Sequence, residues 1–578
     1  MKIVFQAMKG YRKKLLFLIL TVLGTTVCTM GWPRLLAVLV DSAIPQGDKG
    51  QVFSVCGLML LLVGAGIFFG IMTSRFSADI SNGIGRDLRS DVFDRVTCFS
   101  QTQMDEFSTS SLITRTNSDV SQLQLFLNQC LSVAISAPVM CLVGIALSFS
   151  QSPTLSRVLI VSIPVMAVVL LVIGRFSLPL NISMQETMDR INMMTREKLT
   201  GARVIRAFGT TAFEEKRFDK VSEDYTKMSK KSQRLLQLVM PLLTVILSLT
   251  AGAVMLMAVR ESAYEGIDYT TGEVMSIVSY VMEIMVAAIM LTYVFIMLPR
   301  ASTSARRVKE VLDSVNPIRD PETPARETGV KGTLEFDHVS FTYAGSSVPA
   351  VNDLSFKAGP GEITAVIGGT GMGKTSIVNL IPRLYDVTAG RVLVDGVDVR
   401  EWPQKELREK IGFVPQKANL FTGTIDSNIS FGREGADEYA VEAAVRTAQS
   451  YDFVMQKEGQ FDAPVAQGGS NFSGGQRQRL AIARALVKEP EIYVFDDSFS
   501  ALDFRTDKAL RAALKEQTAG RMCTTVIVAQ RISTVMDADR IVVIDSGNIM
   551  GIGRHEELMA SCPVYREIAE SQLGKEAE

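Results

Sequence analysis

Six long apolar runs fill the first half of this chain of 578 residues, and they restrict what it can fold into more than any other feature. They cover approximately Leu15–Val40, Phe53–Thr73, Cys130–Ser148, Val158–Leu178, Leu235–Val259 and Val274–Leu298. Each is close to the ~20 residues that a helix needs to cross about 30 Å of hydrocarbon. A single run of this kind could be a buried core helix. Six in succession, with none in the second half, predict an all-α transmembrane domain of six helices.

Charged residues between and around the runs predict the orientation in the membrane. Segments 74–129 and 179–234 are rich in Arg, Lys, Asp and Glu with helical periodicity, so we expect helices that continue beyond the bilayer. Basic residues crowd the N-terminal region and the region after the sixth run, whereas the last short loop is acidic through Glu261, Glu265, Asp268 and Glu273. The positive-inside rule then predicts that both termini and both long segments are cytoplasmic. The first run is too long for a cleavable signal peptide.

The second half has a different pattern, which predicts a second domain. We assign residues 1–315 to the transmembrane domain, 316–330 to a proline-containing linker and 331–578 to a nucleotide-binding domain. Short β-branched strands alternate with helices in this last part, as at Ile363–Ile367 and Ile492–Phe495. This alternation is typical of an α/β fold. The predicted fold class is therefore multi-domain, with an all-α membrane domain followed by an α/β P-loop domain.

A glycine-rich loop between a strand and a helix predicts an ATP site. It follows Ile363–Ile367, opens the helix that starts near Ser376, and reads Gly368, Gly369, Thr370, Gly371, Met372, Gly373, Lys374, Thr375. Its backbone N–H groups can cradle phosphates, Lys374 can reach the outer phosphates, and the Thr375 hydroxyl can ligate Mg²⁺. A merely structural glycine turn is the alternative, and the strand–loop–helix context disfavours it. The predicted ligands are ATP and Mg²⁺.

Two adjacent carboxylates end a buried apolar strand downstream of this loop. Asp496 is placed to hold the water shell of the metal. A carboxylate pair after a strand can also cap a helix. For Asp497 this capping alternative stays open.

The segment Asn471-Phe472-Ser473-Gly474-Gly475-Gln476 resembles the signature motif of ABC (ATP-binding cassette) ATPases. Further matches follow the order of that family: Tyr343 resembles the aromatic residue that stacks on adenine, Gln416 the Q-loop glutamine, and Ser500-Ala501-Leu502-Asp503 the D-loop. With the six spans, the chain resembles an exporter-type half-transporter over essentially its whole length. It resembles the degenerate-site subunit of heterodimeric bacterial multidrug exporters, which implies a bacterial plasma membrane.

The resemblance implies a mechanism and a set of roles. Two cassettes close head to tail, and each ATP lies between one P-loop and the opposite signature, here Ser473, Gly474, Gly475 and Gln476. Gln416 joins Thr375 and Asp496 as a Mg²⁺ ligand, and Asp503 lies near the nucleotide. Short coupling helices near Gln103–Ser110 and Gly209–Phe213 are expected to pass closure to the membrane domain.

Two positions depart from the family pattern where water is handled. The family has a glutamate at position 497 and a histidine at position 530, whereas this chain has Asp497 and Gln530, and its two histidines are His338 and His555. An aspartate is one methylene shorter, and a glutamine cannot carry an imidazolium charge. With Gln416, these are the candidate catalytic residues. They predict retained ATP binding with low hydrolysis, in a heterodimer whose other half-transporter has the glutamate and the histidine.

Smaller departures carry less weight. Phe472 replaces the usual leucine of the signature, and Gln467 replaces the usual glutamate of the X-loop.

Charged and methionine residues inside the spans bear on cargo. Arg34 and Glu283 lie at similar depth and could pair, or Arg34 could snorkel while Glu283 faces water. The sixth run is rich in methionine, which adapts to varied apolar ligands but more often fills gaps between helices. The expected cargo is a lipophilic compound, drug, peptide or lipid.

Two other functions are compatible with this architecture. An importer built on the exporter architecture would differ in transport direction, and a regulatory subunit would gate a channel without pumping. The six spans argue against soluble DNA-repair ATPases, and a net charge of −1 gives no case for nucleic acid. The seven cysteines have no metal-ligand spacing and predict free thiols.

Overall fold

The computed structural model describes residues 2–265, 269–325 and 329–576, and in it the chain forms two compact units. The first contains the chain up to Thr97 together with Ser110–Ser314, and the second contains Cys98–Thr109 together with the chain from Val315 onward. The segment Cys98–Thr109 therefore belongs to the second unit although the sequence places it between two membrane spans. Asp268 of the predicted acidic loop and residues 326–328 of the predicted linker lie outside the described residues.

The first half is helical, and the predicted six-helix membrane domain is confirmed. Within the described residues, six helical stretches are long and apolar enough to cross a membrane: Gln6–Ala43, Lys49–Thr97, Thr109–Gln151, Pro153–Thr200, Thr211–Tyr264 and Thr271–Asp313. They are built from α1 (Lys2–Met8), α2 (Arg12–Val38), α3 (Lys49–Thr97), α4 (Gln101–Phe107), α5 (Thr109–Thr114), α6 (Val120–Gln129), α7 (Ser136–Gln151), α8 (Pro153–Thr200), α9 (Ala202–Ala207), α10 (Thr211–Gln237), α11 (Val239–Glu265) and α12 (Thr271–Asp313).

The helices extend well past the apolar runs, as the charged segments predict. The second span continues without a break as the 49-residue α3, which at 1.5 Å per residue is more than twice the thickness of a hydrocarbon core. Short π-helical turns at Arg115–Asp119 and Cys130–Ala134 join neighbouring helices within the third span, and another at Leu39–Ala43 ends the first span. A single turn of this kind shifts the helix face while keeping the backbone hydrogen-bonded.

A carboxylate from the end of the first span caps the sixth. The Oδ1 atom of Asp41 accepts a hydrogen bond from the Gly272 backbone N–H at 2.7 Å, and its Oδ2 atom accepts one from the Thr270 hydroxyl at 2.5 Å. A negative charge at a helix N-terminus is favourable because the first N–H groups there have no helical partner. A Cβ on Gly272 would come within 2.6 Å of the Ala37 backbone, so the close approach of the two spans requires glycine.

The two expected coupling positions differ in structure. α4 (Gln101–Phe107) is a short separate helix that overlaps the expected position at Gln103–Ser110. At Gly209–Phe213 there is a turn followed by the start of the 27-residue α10, and the short helix nearby is α9, which ends at Ala207. Gly209 has φ +66°, a conformation that ends α9 and turns the chain into α10.

Arg34 and Glu283 do not pair in the part of the chain that the structure describes, where no ion pair between them is found. Arg34 is exposed on α2 and Glu283 is half-buried on α12.

The second unit is an α/β domain, as predicted, and its described residues form three sheets. A four-stranded antiparallel sheet has the order β2-β1-β4-β5, a six-stranded sheet has the order β12-β11-β3-β10-β9-β6, and β7 pairs with β8. The strands are β1 (Leu334–Phe341), β2 (Val351–Ala358), β3 (Ile363–Ile367), β4 (Ala389–Val394), β5 (Val397–Asp398), β6 (Ile411–Val414), β7 (Gly423–Thr424), β8 (Pro464–Val465), β9 (Ile492–Asp496), β10 (Thr524–Ala529), β11 (Arg540–Asp545) and β12 (Asn548–Gly553).

Strands β3, β6, β9, β10 and β11 run parallel, and this direction positions the site. Residues of β3 alternate between two cores, with Ala365 and Ile367 on one face and Val366 on the other. Both faces are covered, which explains the near-continuous apolar strands. The carboxyl ends of β3 and β9 therefore meet at one edge, where open α/β sheets bind ligands. The helices are α13 (Lys374–Leu380), α14 (Gln404–Glu409), α15 (Ile425–Ser430), α16 (Glu438–Thr447), α17 (Tyr451–Met455), α18 (Gly474–Leu486), α19 (Phe504–Arg521), α20 (Ile532–Val535), α21 (His555–Ser561) and α22 (Pro563–Glu576).

Candidate functional site

The glycine-rich loop connects β3 to α13, so its backbone lies at the carboxyl edge of the sheet. Gly373 has φ +93° immediately before α13, and a Cβ there would lie 2.2 Å from the Ala350 carbonyl oxygen. A Cβ on Gly368 would lie 2.2 Å from the Ile544 carbonyl oxygen. Only glycine fits at both positions, and the loop can therefore wrap closely enough to present N–H groups to phosphates.

Lys374 lies across this loop. Its Nζ atom donates hydrogen bonds to the carbonyl oxygens of Gly368 at 2.9 Å and Gly369 at 2.6 Å, and the side chain is buried. Burial lowers the pKa of Lys374, while Asp497 and Asp496 act in the opposite direction. The ammonium group is thus held inside the loop where phosphate oxygens would bind.

Thr375 and Asp496 are brought together as predicted for a metal site. The Thr375 hydroxyl donates to Asp496 Oδ1 at 3.2 Å. Burial raises the pKa of Asp496 to about 6, partly opposed by the hydrogen bond from Thr375. A bound cation would reverse this effect, because it stabilises the carboxylate.

Asp497 accepts hydrogen bonds from two side-chain amides. The Nε2 atom of Gln530 donates to its Oδ2 at 2.9 Å, and the Nε2 atom of Gln416 donates to the same oxygen at 3.3 Å. The other end of Gln530 is held by the Thr370 hydroxyl at 3.4 Å. Asp497 does not cap a helix, and it has φ +45°, which an aspartate tolerates better than most residues. The three candidate catalytic residues therefore form one connected network.

Tyr343 lies beside the start of α13. Its hydroxyl is 2.9 Å from the Ser376 hydroxyl, and the ring is half-buried. The ring is thus partly accessible beside the P-loop, where an aromatic side chain could stack on a base. Met372 lies in the same loop, and its sulfur accepts a hydrogen bond from the Ser546 backbone N–H at 3.2 Å.

The signature segment opens α18 with a capping box. The Ser473 hydroxyl accepts a hydrogen bond from the Gln476 N–H at 3.3 Å, and Gln476 Oε1 accepts one from the Ser473 N–H at 3.0 Å. Ser473 and Gly474 are exposed, and nothing lies within 4 Å of a Cβ built on Gly474, whereas one on Gly475 would contact Ala501. This exposed helix N-terminus can receive an anion from outside the unit.

Asp503 caps the next helix of the same surface. Its carboxylate accepts a hydrogen bond from the Thr506 backbone N–H at 2.9 Å at the start of α19. This bond lowers the pKa of Asp503. The D-loop aspartate is therefore ionised and fixed at the N-terminus of α19.

The residues present fit ATP and Mg²⁺. Among the described residues, no group of three or more His, Cys, Asp and Glu side chains could hold a metal alone. Mg²⁺ is usually held by one or two carboxylates together with substrate phosphates. Asp496, the Thr375 hydroxyl and the amide oxygen of Gln416 supply such a partial set beside the phosphate-binding loop.

Sequence reasoning missed several contacts of the site. Thr370 was predicted only as a phosphate-loop residue, but its hydroxyl orients Gln530, which is 160 positions away. The sequence does not indicate the roles of Asp105, Tyr385 and Phe341: the Tyr385 hydroxyl donates to Asp105, and the rings of Tyr385 and Phe341 contact Tyr343. The sequence feature that could have indicated Tyr385 is an aromatic residue shortly after α13.

This site defines an ATP-binding cassette attached to a six-helix membrane domain, and comparisons with known proteins give its family. The ABC transporter transmembrane region matches residues 15–289, and the ABC transporter domain matches residues 351–500. An ABC transporter ATP-binding protein of Mycobacterium tuberculosis is 38% identical over 572 residues, which cover 98% of this chain and 97% of the relative. The chain belongs to the ABC exporter family, as a half-transporter.

Two further comparisons agree. The ATP-dependent lipid A-core flippase of Salmonella typhimurium is 30% identical over 547 residues, covering 94% of this chain and 92% of the relative. The solved structure of a bacterial Atm1-family ABC exporter with ATP bound superimposes with a TM-score of 0.80 at 25% identity, covering 98% of each chain. The chain is therefore a multi-pass membrane protein with the architecture of an ATP-driven transporter.

Proposed function

We propose that this chain is the degenerate-site half of a heterodimeric ABC exporter, which binds ATP tightly at its own P-loop and hydrolyses it slowly. The observation that carries the proposal is the environment of Asp497, whose Oδ2 atom accepts hydrogen bonds from both Gln416 and Gln530. A carboxylate occupied by two amide donors is a poor acceptor for the proton of an attacking water. Asp497 is also one methylene shorter than the family's glutamate, and a displacement of about 1 Å lowers rates on the order of 10²-fold.

The residues expected to bind ATP and Mg²⁺, in contrast, are all present. Lys374 is held at the phosphate loop by its two carbonyl contacts, and Thr375 and Asp496 are in contact where Mg²⁺ would bind. Bound Mg²⁺ would neutralise charge on the phosphate oxygens. Gln530 can donate a hydrogen bond to the terminal phosphate but has no charge to offset the charge that develops during cleavage.

The signature supports a role at the opposite site. Because the Ser473 hydroxyl accepts a hydrogen bond from the Gln476 N–H, its own O–H proton is free to be donated. The oxygens of a terminal phosphate on a partner cassette would accept hydrogen bonds from that O–H group and from the first N–H groups of α18. We therefore expect the chain to present a competent signature to a partner cassette. That partner has the family's glutamate (the Walker B glutamate) and histidine (the switch histidine) at the positions that correspond to 497 and 530.

The membrane half indicates the class of cargo. We propose export of lipophilic compounds, drugs, peptides or lipids, with the cassette and both termini in the cytoplasm. The positive-inside bias supports this orientation. The similarity to a lipid A-core flippase supports an amphiphilic cargo, and several methionines of α12, including Met282 and Met290, are exposed on the apolar helix.

Restoring the two side chains tests the proposal. In the full chain, purified in lipid nanodiscs, we expect slow ATP hydrolysis, and the double variant Asp497→Glu with Gln530→His should raise the rate on the order of 10²-fold. ATP affinity, measured by calorimetry, should change little. The matched control is Gln467→Glu, which reverts another departure from the family pattern outside the P-loop network and should leave the rate unchanged.

Two outcomes would contradict the proposal. One is robust, substrate-stimulated hydrolysis by the unaltered chain as a homodimer. The other is a co-purifying partner whose motifs lack the glutamate and the histidine. Transport of a lipophilic dye into inside-out vesicles, rather than out of them, would support export over import.

A further inference from the structure

The segment Cys98–Thr109 is part of the cassette unit, and its helix α4 is stabilised by several specific contacts. A capping box between Ser100 and Gln103 begins the helix, and Gln103 is buried. The rings of Phe99 and Phe107 stack at 5.6 Å between centroids. The Asn316 amide donates a hydrogen bond to the Cys98 carbonyl at 2.6 Å. This segment, called here the docked segment, therefore has a defined position within the unit.

One buried hydroxyl connects the docked segment to the turn that follows the P-loop helix. The Tyr385 hydroxyl donates to Asp105 Oδ2 at 2.7 Å, and Tyr385 is only 7% exposed. Burial, followed by the hydrogen bond to Asp105, raises the pKa of Tyr385. The phenol therefore stays protonated and remains a donor at physiological pH.

The turn that carries Tyr385 is held by a neighbouring ion pair. Arg383 is 5% exposed, and its guanidinium donates to both carboxylate oxygens of Asp386, at 2.8 and 3.3 Å. The same group donates to the Arg319 carbonyl at 3.1 Å. A bidentate pair of this type fixes geometry as well as contributing free energy. Tyr385 is therefore supported by a rigid turn.

The ring of Tyr385 contacts the aromatic residue predicted to stack on adenine. Phe341, Tyr343 and Tyr385 form a cluster, called here the aromatic triad, with ring centroids 4.7, 5.3 and 5.4 Å apart. The Tyr343 and Tyr385 rings meet edge to face at 87°. Such edge-to-face pairs have a preferred geometry, so tilting one ring displaces the other. At its far end, Tyr343 is 2.9 Å from the Ser376 hydroxyl of α13.

We propose that Tyr385 is a positioning residue that links occupancy of the adenine end of the ATP site to the docked segment, through the aromatic triad on one side and its hydrogen bond to Asp105 on the other. The inference rests on the proposed ATP binding at Tyr343. When adenine stacks on Tyr343, the ring is fixed in one orientation, which fixes Tyr385 and its hydroxyl. Asp105 is then held, and with it the helix that leads into α3 and α5 of the membrane half.

Removing one oxygen atom tests the proposal. Hydrogen–deuterium exchange of the peptide containing residues 98–109 is measured by mass spectrometry on the full chain in nanodiscs, with and without ATP and Mg²⁺. In the unaltered chain, ATP should slow exchange of this peptide. Tyr385→Phe, which keeps the ring and removes the hydroxyl, should reduce that slowing about fivefold, the factor that corresponds to a typical hydrogen bond of about 1 kcal/mol.

The controls separate this role from simple packing. Tyr565→Phe removes an equally buried hydroxyl, which is 2.8 Å from His555 Nδ1, and should leave the response of the peptide unchanged. Asp105→Ala removes the acceptor of the same hydrogen bond. Because Asp105 is exposed, this variant disturbs packing little and should reproduce the effect of Tyr385→Phe. The double variant should be no worse than either single variant, because both remove the same bond.

The outcomes are distinguishable. Normal ATP affinity by calorimetry, with a peptide response in Tyr385→Phe equal to that in Tyr565→Phe, would overturn this inference alone. Because coupling between two sites is reciprocal, Asp105→Ala should weaken ATP binding by no more than about fivefold. A much larger loss would also overturn the inference, since Asp105 would then belong to the binding site itself. Absence of ATP binding to the unaltered chain would overturn the proposed function and this inference with it.

Discussion

Asp496 ends β9 in a buried position where its charge is costly unless a cation is present. Its pKa is raised to about 6 by burial, and its carboxylate accepts a hydrogen bond from the Thr375 hydroxyl. Metal binding requires the carboxylate, so protons and Mg²⁺ compete for this group. The competition falls within a pH range that experiments can reach.

The affinity for Mg²⁺ should therefore fall as the pH drops through 6. At pH 5 about one-tenth of the Asp496 carboxyl groups would be ionised, so the Mg²⁺-dependent gain in ATP affinity should be about tenfold smaller than at pH 7.5. Calorimetric titration of the full chain with ATP, with Mg²⁺ or with EDTA, measures this gain. Asp496→Asn is the control, because it keeps the titration of ATP itself and removes that of the carboxyl. An identical pH dependence in the two proteins would contradict the assignment.

At the residue scale, the sequence predicts which groups are present but not how they are connected. Lys374, Thr375 and Asp496 could be assigned because their spacing from β3 and β9 follows from the chemistry of phosphate and metal binding. The shared acceptor oxygen of Asp497 could not, because Gln416 and Gln530 lie 81 and 33 positions away in sequence. Contacts between distant loops depend on how the backbone turns in three dimensions. A local sequence motif does not predict such contacts.

At the scale of elements, Ser473 caps α18 and is also the proposed donor to the opposite ATP. Ser473→Ala removes the hydroxyl that caps the helix, which typically costs about 1 kcal/mol of the free energy of unfolding. Denaturation followed by Trp402 fluorescence in a Trp32→Phe background would measure this loss in the cassette. The same variant should strongly reduce hydrolysis in the proposed heterodimer, where the hydroxyl would donate a hydrogen bond to the opposite ATP.

The matched control is Asp437→Ala, which removes the cap of α16. The Asp437 carboxylate accepts a hydrogen bond from the Ala440 N–H at 2.7 Å, away from the P-loop and the signature. A similar loss of stability is expected, with hydrolysis unchanged. Equal losses of hydrolysis in both variants would mean that Ser473 acts only as a cap.

The long helices were easier to predict than the short ones. α3 could be expected because apolar periodicity continues into charged helical periodicity over its 49 residues. α4 and α9 have 7 and 6 residues, too few for a periodic pattern to be distinguished from a loop. For α9 the expected position was Gly209–Phe213, and the structure has a turn there because Gly209 ends the helix in a left-handed conformation.

At the scale of the whole molecule, the proposed orientation can be tested through an exposed cysteine. Cys98 is exposed at the start of the docked segment. A membrane-impermeant maleimide should label it in inside-out vesicles and not in intact cells, with labelled peptides identified by mass spectrometry. Tyr264→Cys in a Cys98→Ser background should show the opposite pattern, because Tyr264 is 86% exposed at the other end of a span. Labelling of Cys98 in intact cells would contradict the orientation.

The docked segment also has a consequence for how this chain is made. Asp105 and Tyr385 are 280 positions apart, so at synthesis rates of about 5–20 residues per second the segment leaves the ribosome about 14–56 s before its partner exists. During that interval the membrane half is already being inserted, with α4 lacking the surface against which it packs. The hydrogen bond between Asp105 and Tyr385 can therefore form only after the first part of the cassette has been translated. A gene fragment cut at the linker would encode a cassette in which the Tyr385 hydroxyl lacks Asp105 as its acceptor.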